Sequence, residues 1–183
     1  MSKVVAIVGM AGAGKSTVAD LFVKSGCKKI RFGDVTMEEL EKRGLVVNEE
    51  NESVIRETLR IEQGMDAYAK LNEPKIREAA KSGDVIIDGL YSWQEYVCMK
   101  PKFPGLVLLA IYASPKTRYK RLASRHVRPL AEGEARGRDY AELENLNKGD
   151  PIALADYTII NEGSVEELKR KVADMITILG KEV

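Results

Sequence analysis

The feature that most constrains this chain is the segment Gly9-Met10-Ala11-Gly12-Ala13-Gly14-Lys15-Ser16. It fits G-x-x-x-x-G-K-[ST], directly after the apolar run Val4–Val8 and before a segment in which Val18, Leu21 and Phe22 share one helical face. A loop so placed curls its backbone N–H groups toward phosphate oxygens, and the helix that follows adds its positive dipole end. Gly9, Gly12, Ala13 and Gly14 form the curl. Lys15 can bridge β- and γ-phosphates, the Ser16 hydroxyl suits Mg²⁺, and Thr17 is a donor near the α-phosphate. A chance match in a chain this long is on the order of 1 in 100, and the flanking strand and helix reduce it further. The chain is expected to bind a nucleoside triphosphate.

The rest of the chain repeats that alternation. Short apolar runs recur at Lys28–Phe32, Val85–Asp88, Leu106–Tyr112 and Tyr157–Ile160. Most are continuous rather than alternating, as strands covered on both faces are. Helical spacing lies between them, so the fold class is α/β with a mostly parallel sheet. Near the end, Ser164 and Glu167 have capping-box spacing. Val165, Leu168, Val172, Met175 and Leu179 then form an apolar stripe closed by Gly180. Residues 36–83 read as a helical insert with a break at Pro74. Arg128–Asp150, with Pro129, Gly133, Gly137 and Gly149, reads as irregular and able to move. The 183 residues suit a single domain.

Composition excludes several function classes. Lys and Arg total 29 against 28 Asp and Glu, so the chain is not a globally basic nucleic-acid binder. Two cysteines, Cys27 and Cys98, and the lone His126 supply neither a disulfide framework nor a zinc set. No apolar run approaches the roughly 18 residues of a membrane span, and no signal segment opens the chain. A cytoplasmic protein without membrane association is expected.

Other residues bear on what the phosphate does. Asp34 follows the second strand, at the carboxyl end where α/β sheets bind ligands. It can take the proton of an acceptor hydroxyl, hold a metal-bound water, or simply cap the next helix. Asp88 ends Val85–Asp88 and suits either the Mg²⁺ shell or an Asp-Gly turn. From Lys116 to Arg128 run six Lys or Arg residues and no acid. Arg118, Arg121 and Arg125 have the spacing of one helical face. Their planar forks suit a lid over a triphosphate, and the alternatives are a solvated face or a nucleic-acid patch. Arg136 and Arg138, beyond the glycines, can belong to the same lid, residues 116–150. Tyr91, Trp93 and Tyr96 read as core more than as a base platform. No guanine-recognition motif of the Asn-Lys-x-Asp kind is present.

The stretch Ala6–Ser16 resembles the small P-loop kinases of nucleoside monophosphates and of dephospho-coenzyme A. Ala155–Ser164, followed by Glu166-Glu167-Leu168, resembles the carboxyl-terminal signature of dephospho-coenzyme A kinases. Gly33-Asp34-Val35, Gly64-Met65-Asp66-Ala67, Ile87-Asp88-Gly89 and Ala113-Ser114-Pro115 extend the likeness to adenylate-kinase-related and dephospho-coenzyme A kinase-related proteins over nearly the full length. That resemblance implies a five-stranded parallel sheet of order 2-3-1-4-5, a mobile lid and an acceptor-binding helical region at 36–83. It implies donor-phosphate roles for Lys15, Ser16 and Thr17, and an acceptor-side role for Asp34. Arg121 and Arg125 fall in the lid-arm helix, Arg138 matches the later lid arginine, and Asn161 and Gly163 fall in the loop beside the donor adenine. After Ile87-Asp88-Gly89 the chain departs from many relatives, with Leu90-Tyr91-Ser92-Trp93 where an arginine is expected. The expected function is ATP- and Mg²⁺-dependent phosphoryl transfer to a small nucleotide-like acceptor. The alternative is a nucleotide-binding regulator or ATPase without a metabolite acceptor.

Overall fold

The run Val4–Val8 forms β1, apolar at every position because neither face of it meets water. Its side chains divide between two cores. Val4, Ala6 and Val8 point to one side of the sheet, Val5 and Ile7 to the other. The computed structural model describes residues 2–126 and 129–181. The remaining strands are β2 (Lys28–Arg31), β3 (Val85–Asp88), β4 (Leu106–Tyr112) and β5 (Tyr157–Ile160). All are parallel, in the order β2-β3-β1-β4-β5, as expected. The edge strand β2 carries Lys28, Lys29 and Arg31, charges that discourage further strand pairing.

Helices cover both faces. On one lie α1 (Lys15–Lys24) and α9 (Val165–Lys181). Val18 and Phe22 of the first, and Leu168, Val172, Met175 and Leu179 of the second, pack on Val5, Ile7, Ile86, Leu109 and Ile111. Ser164 accepts the amide of Glu167 at 3.2 Å, so the expected cap starts α9, which continues through Gly180 to Lys181. The other face is covered by α2 (Asp34–Lys42), α3 (Glu49–Gln63), α4 (Ala67–Ala80) and α5 (Trp93–Met99). The 36–83 insert is thus α2–α4, and Pro74 lies inside α4 without ending it.

Beyond β4 the chain forms α6 (Pro115–Ala123), α7 (Glu132–Leu146) and the short α8 (Gly149–Ala153). This corrects the irregular reading of Arg128–Asp150. Gly133 and Gly137 sit within α7, held helical because Ala135 packs into a small third core with Ala11 and Leu122. Arg128 lies outside the described residues. That third core places α6 and α7 against the Gly9–Ser16 loop itself. Among the described residues, no helix is long and apolar enough to cross a membrane.

The α9 stripe gives a paired test. Leu179 is 4% exposed and its neighbour Ile178 is 43% exposed. Leu179→Ala is expected to lower the unfolding free energy by about 2–4 kcal/mol. Ile178→Ala should change it by no more than about 0.5 kcal/mol. Urea denaturation with unchanged m-values checks the pair.

Candidate active site

The loop between β1 and α1 is held from three sides. Gly12 has φ +80, and a Cβ there would stand 2.8 Å from the Arg118 carbonyl oxygen on α6. Gly14 has φ +100, and a Cβ there would stand 2.5 Å from Asn161 Nδ2. These two positions need glycine for conformation and for space. Asn161, buried at the end of β5, donates from Nδ2 to the Ala13 carbonyl at 2.8 Å. It is therefore a strut for the loop, a use the reading of Asn161 as a base contact did not include. Gly163 is exposed beside the Glu167 carboxylate.

Arg118 supplies the third hold. It is 4% exposed. Nε donates to Ala113 O and Nη1 to Ala11 O, both at 3.1 Å. Nη1 and Nη2 also donate to the two carboxylate oxygens of Asp139 on α7, at 2.9 and 2.6 Å. All three guanidinium nitrogens are engaged by protein groups. Of the arginines grouped by spacing, Arg118 thus joins the loop to α7, and Arg125 lies past the end of α6, exposed. Arg121 remains on α6, with a buried Nη1 that has no partner among the described residues. The helix ends too early for one arginine face.

Lys15, half-buried, folds its ammonium onto Gly9 O at 2.8 Å and Met10 O at 3.0 Å. Ser16 and Thr17 are exposed at the start of α1. Burial drives the Lys15 pKa down from 10.5 to about 7, and Lys148 adds to the shift; Glu142 and Asp88 oppose it, and Arg138 lowers it further. The loop lysine therefore shares its surroundings with the lid helix. Arg138 Nε donates to Glu142 Oε1 at 3.0 Å, and Lys148 Nζ donates to Glu142 Oε2 at 2.6 Å. Burial tends to raise the Glu142 carboxyl, but Lys148 and Arg138 outweigh it and hold it below the ordinary value.

Tyr91 lies beneath these cations. Lys148 Nζ is 4.7 Å from its ring centroid and Lys15 Nζ 5.9 Å. Burial raises the Tyr91 hydroxyl pKa, with Asp88 and Glu142 adding to the shift. The Tyr91 amide donates to Glu95, whose carboxyl burial raises to about 7 against the pull of that amide and of Ser92. Trp93 and Tyr96 instead pair with each other, ring centroids 5.5 Å apart.

Of the expected carboxylates, Asp88 is 4% exposed and 3.5 Å from Lys29 Nζ. Asp34 is the first residue of α2, half-exposed, with Arg31 Nη1 at 3.7 Å. The N-cap position itself is taken by Gly33, and Asp34 is the acidic residue of the first turn. Among the described residues, no group of three or more His, Cys, Asp or Glu could hold a metal. A cation at Ser16 and Asp88 would complete its shell with phosphate oxygens and water.

Sequence reasoning missed Asp139, Glu142 and Lys148. Glu142 alone carried a local signal, standing four residues after Arg138 on one helix face. Arg118 and Asp139 meet only through the fold.

Comparison with known proteins agrees with this geometry. An AAA domain model matches residues 5–148. The UPF0200 protein of Thermococcus onnurineus is 36% identical over 178 residues, spanning 94% of this chain and 96% of that one. The UPF0200 protein of Sulfurisphaera tokodaii is 36% identical over 179 residues, spanning 95% and 96%. Among solved structures, TT1252 from Thermus thermophilus superposes with a TM-score of 0.62 at 18% identity, covering 97% of this chain and 98% of that one. A shikimate kinase from Bacteroides thetaiotaomicron gives 0.61 at 16% identity, with coverage of 97% and 98%. A gluconokinase from Sinorhizobium meliloti gives 0.58 at 16% identity, with coverage of 97% and 93%. These likenesses establish a P-loop NTPase fold, shared with these solved structures. By sequence, the chain belongs to the UPF0200 proteins and carries an AAA domain over most of its length.

Proposed function

We propose that the protein is an ATP- and Mg²⁺-dependent phosphotransferase acting on a small acceptor. The observation that carries this reading is the convergence of loop and lid charges: Lys15 shares one site with Arg138, Glu142 and Lys148. Hydrolysis needs only a water, whereas transfer needs water excluded and charge gathered on the moving group. A lid helix fastened to the phosphate loop supports that demand. Neighbours of the same fold named shikimate kinase and gluconokinase support a small-molecule acceptor.

In this mechanism the acceptor oxygen forms a bond to the γ-phosphorus while the bond to the β–γ bridging oxygen breaks and ADP departs. Lys15 and Arg138 hold the phosphoryl oxygens, where charge grows toward the transition state. Ser16 and Asp88 are the residues that would hold Mg²⁺, which when bound neutralises β- and γ-oxygens. Asp34, at the carboxyl end of β2, takes the proton of the acceptor hydroxyl and orients it. Arg121 and Arg125 belong to the lid arm, and Asn161 and Gly163 border the adenine side. The region 36–83 covers the acceptor, a nucleotide-like molecule such as dephospho-coenzyme A or a nucleoside monophosphate. The departure at Leu90-Tyr91-Ser92 favours the former.

The test is acceptor-stimulated ATP consumption with dephospho-coenzyme A, AMP, CMP, shikimate and gluconate. Stimulation by one of them well above the acceptor-free rate is expected. Basal hydrolysis that no acceptor stimulates would favour a regulator instead.

Lys15→Met is expected to reduce turnover about 10²–10³-fold with the fold retained. Its stability should also respond to pH in a set direction. The Lys15 pKa is lower folded than unfolded, so the unfolded wild-type chain binds more protons between about pH 7 and 10.5. The variant's stability advantage without nucleotide is therefore largest below pH 7 and fades as pH rises through that window. Melting curves near about pH 6 and about pH 9 read the difference.

Asp34→Asn separates acid–base work from structure. Asparagine keeps the size of this exposed side chain, and its contact with Arg31 is screened by solvent, so the melting temperature should hardly move. Acceptor-dependent transfer should fall about 10²–10⁴-fold. Equal rates in the two proteins would remove Asp34 from the mechanism.

A further inference from the structure

Lys148 is placed with unusual care for a residue between helices. Asn147 ends α7 in the left-handed conformation, φ 47 and ψ 43, which asparagine tolerates better than most residues. The reversal sends Lys148 back under the lid, where it is 2% exposed. A buried ammonium is costly, and placing it near a second lysine raises the cost. Here Lys148 and Lys15 face the same Tyr91 ring, at 4.7 and 5.9 Å from its centroid.

The charges of this cluster do not balance. Lys15, Arg138 and Lys148 share the surroundings of Glu142; Asp139 is committed to Arg118, and Asp88 is 3.5 Å from Lys29, which Asp20 also pairs at 2.9 Å. Glu142 itself is divided, one oxygen to Arg138 at 3.0 Å and the other to Lys148 at 2.6 Å. A carboxylate bound in this way presents two oxygens to two cations, as a phosphoryl group does. A group carrying more negative charge would satisfy the same cations better, and would also engage Lys15.

We propose that Lys148 is a ligand of the γ-phosphoryl group, opposite Lys15, and that Glu142 is the internal carboxylate those phosphoryl oxygens displace. Tyr91 serves as the common floor. Its ring face attracts both ammonium groups and carries no charge that the phosphoryl oxygens would have to displace. The assignment rests on triphosphate binding in the Gly9–Ser16 loop and extends it to a residue outside any phosphate-loop motif. It also gives a basis for telling ATP from ADP, since only the former carries the group that Lys148 reaches.

Calorimetric titration of the full chain with Mg²⁺ and either ADP or the β,γ-imido analogue of ATP tests this without an acceptor. Lys148→Met is expected to weaken the triphosphate analogue about tenfold or more, with ADP changed less than about threefold. Glu142→Gln removes the competing charge at constant shape and should tighten the analogue while leaving ADP alone. The double variant Lys148→Met/Glu142→Gln strands no buried charge, so it reports even where the single lysine variant folds poorly. It should bind the analogue more weakly than Glu142→Gln does.

Equal weakening of both nucleotides by Lys148→Met would make Lys148 a structural cation, and no weakening would remove it from the site. Weaker analogue binding by Glu142→Gln would overturn displacement. A wild-type chain that binds neither nucleotide defeats the phosphotransferase reading itself. Wild-type binding with an unchanged ATP-to-ADP preference in the lysine variants defeats only the role of Lys148.

Discussion

The site depends on the buried pairing of Arg118 with Asp139. A guanidinium withdrawn from water is tolerable only when its N–H groups are matched, and this one bonds a carboxylate and two main-chain carbonyls. Asp139 also accepts the Tyr119 hydroxyl at 2.9 Å. Each partner anchors a different element: Ala113 follows β4, Ala11 is in the phosphate loop, and Asp139 is in α7. Loss of either charged partner would leave the other stranded in a place where water cannot compensate. The pair is thus less a source of stability than a fixed geometry, making the loop and α7 one mechanical unit.

That coupling explains why the phosphate lysine is electrostatically unusual. With α7 brought over the loop, Arg138 and Lys148 share its surroundings, and only part of their charge is cancelled by Glu142. Burial and like charge together make the Lys15 proton loosely held, so an arriving anion restores it. On the proposed reading, nucleotide binding near neutral pH is then coupled to proton uptake. The proposed acceptor side is built differently. Asp34 and Arg31 remain in contact with solvent, where screening keeps charge interactions small until something covers them.

The central elements were legible because their signals are local. Val4–Val8, the glycines and Lys15 declare strand, loop and helix within one short segment, and continuous apolar runs mark strands covered on both sides. The strand order followed from resemblance and not from spacing. What sequence obscured arose from long-range packing. Glycines at 133 and 137 suggested irregular chain, but Ala135 fits against Ala11 and Leu122 and holds the segment in α7. Arg118 and Arg125 looked equivalent by spacing, although the end of α6 separates a buried clamp from an exposed side chain. Pro74 signalled a break that the packing of Tyr68, Asn72 and Ile76 on the sheet overrides. Lys148 gave no sign at all, since its place depends on the turn at Asn147.

The strut from Asn161 to Ala13 has a bearing on how the molecule comes into being. The loop it braces is synthesised well before the brace, which lies 148 residues later. The strand before the loop is equally dependent, since β1 pairs only with β3 and β4, whose residues lie some 80 to 100 positions downstream. Closing such long loops delays the gain from each contact. A nascent chain therefore carries its phosphate-binding sequence long before it owns a phosphate-binding shape. Competence to hold a nucleotide arrives late and all together, when β5 docks and the last helix seals the opposite face of the sheet.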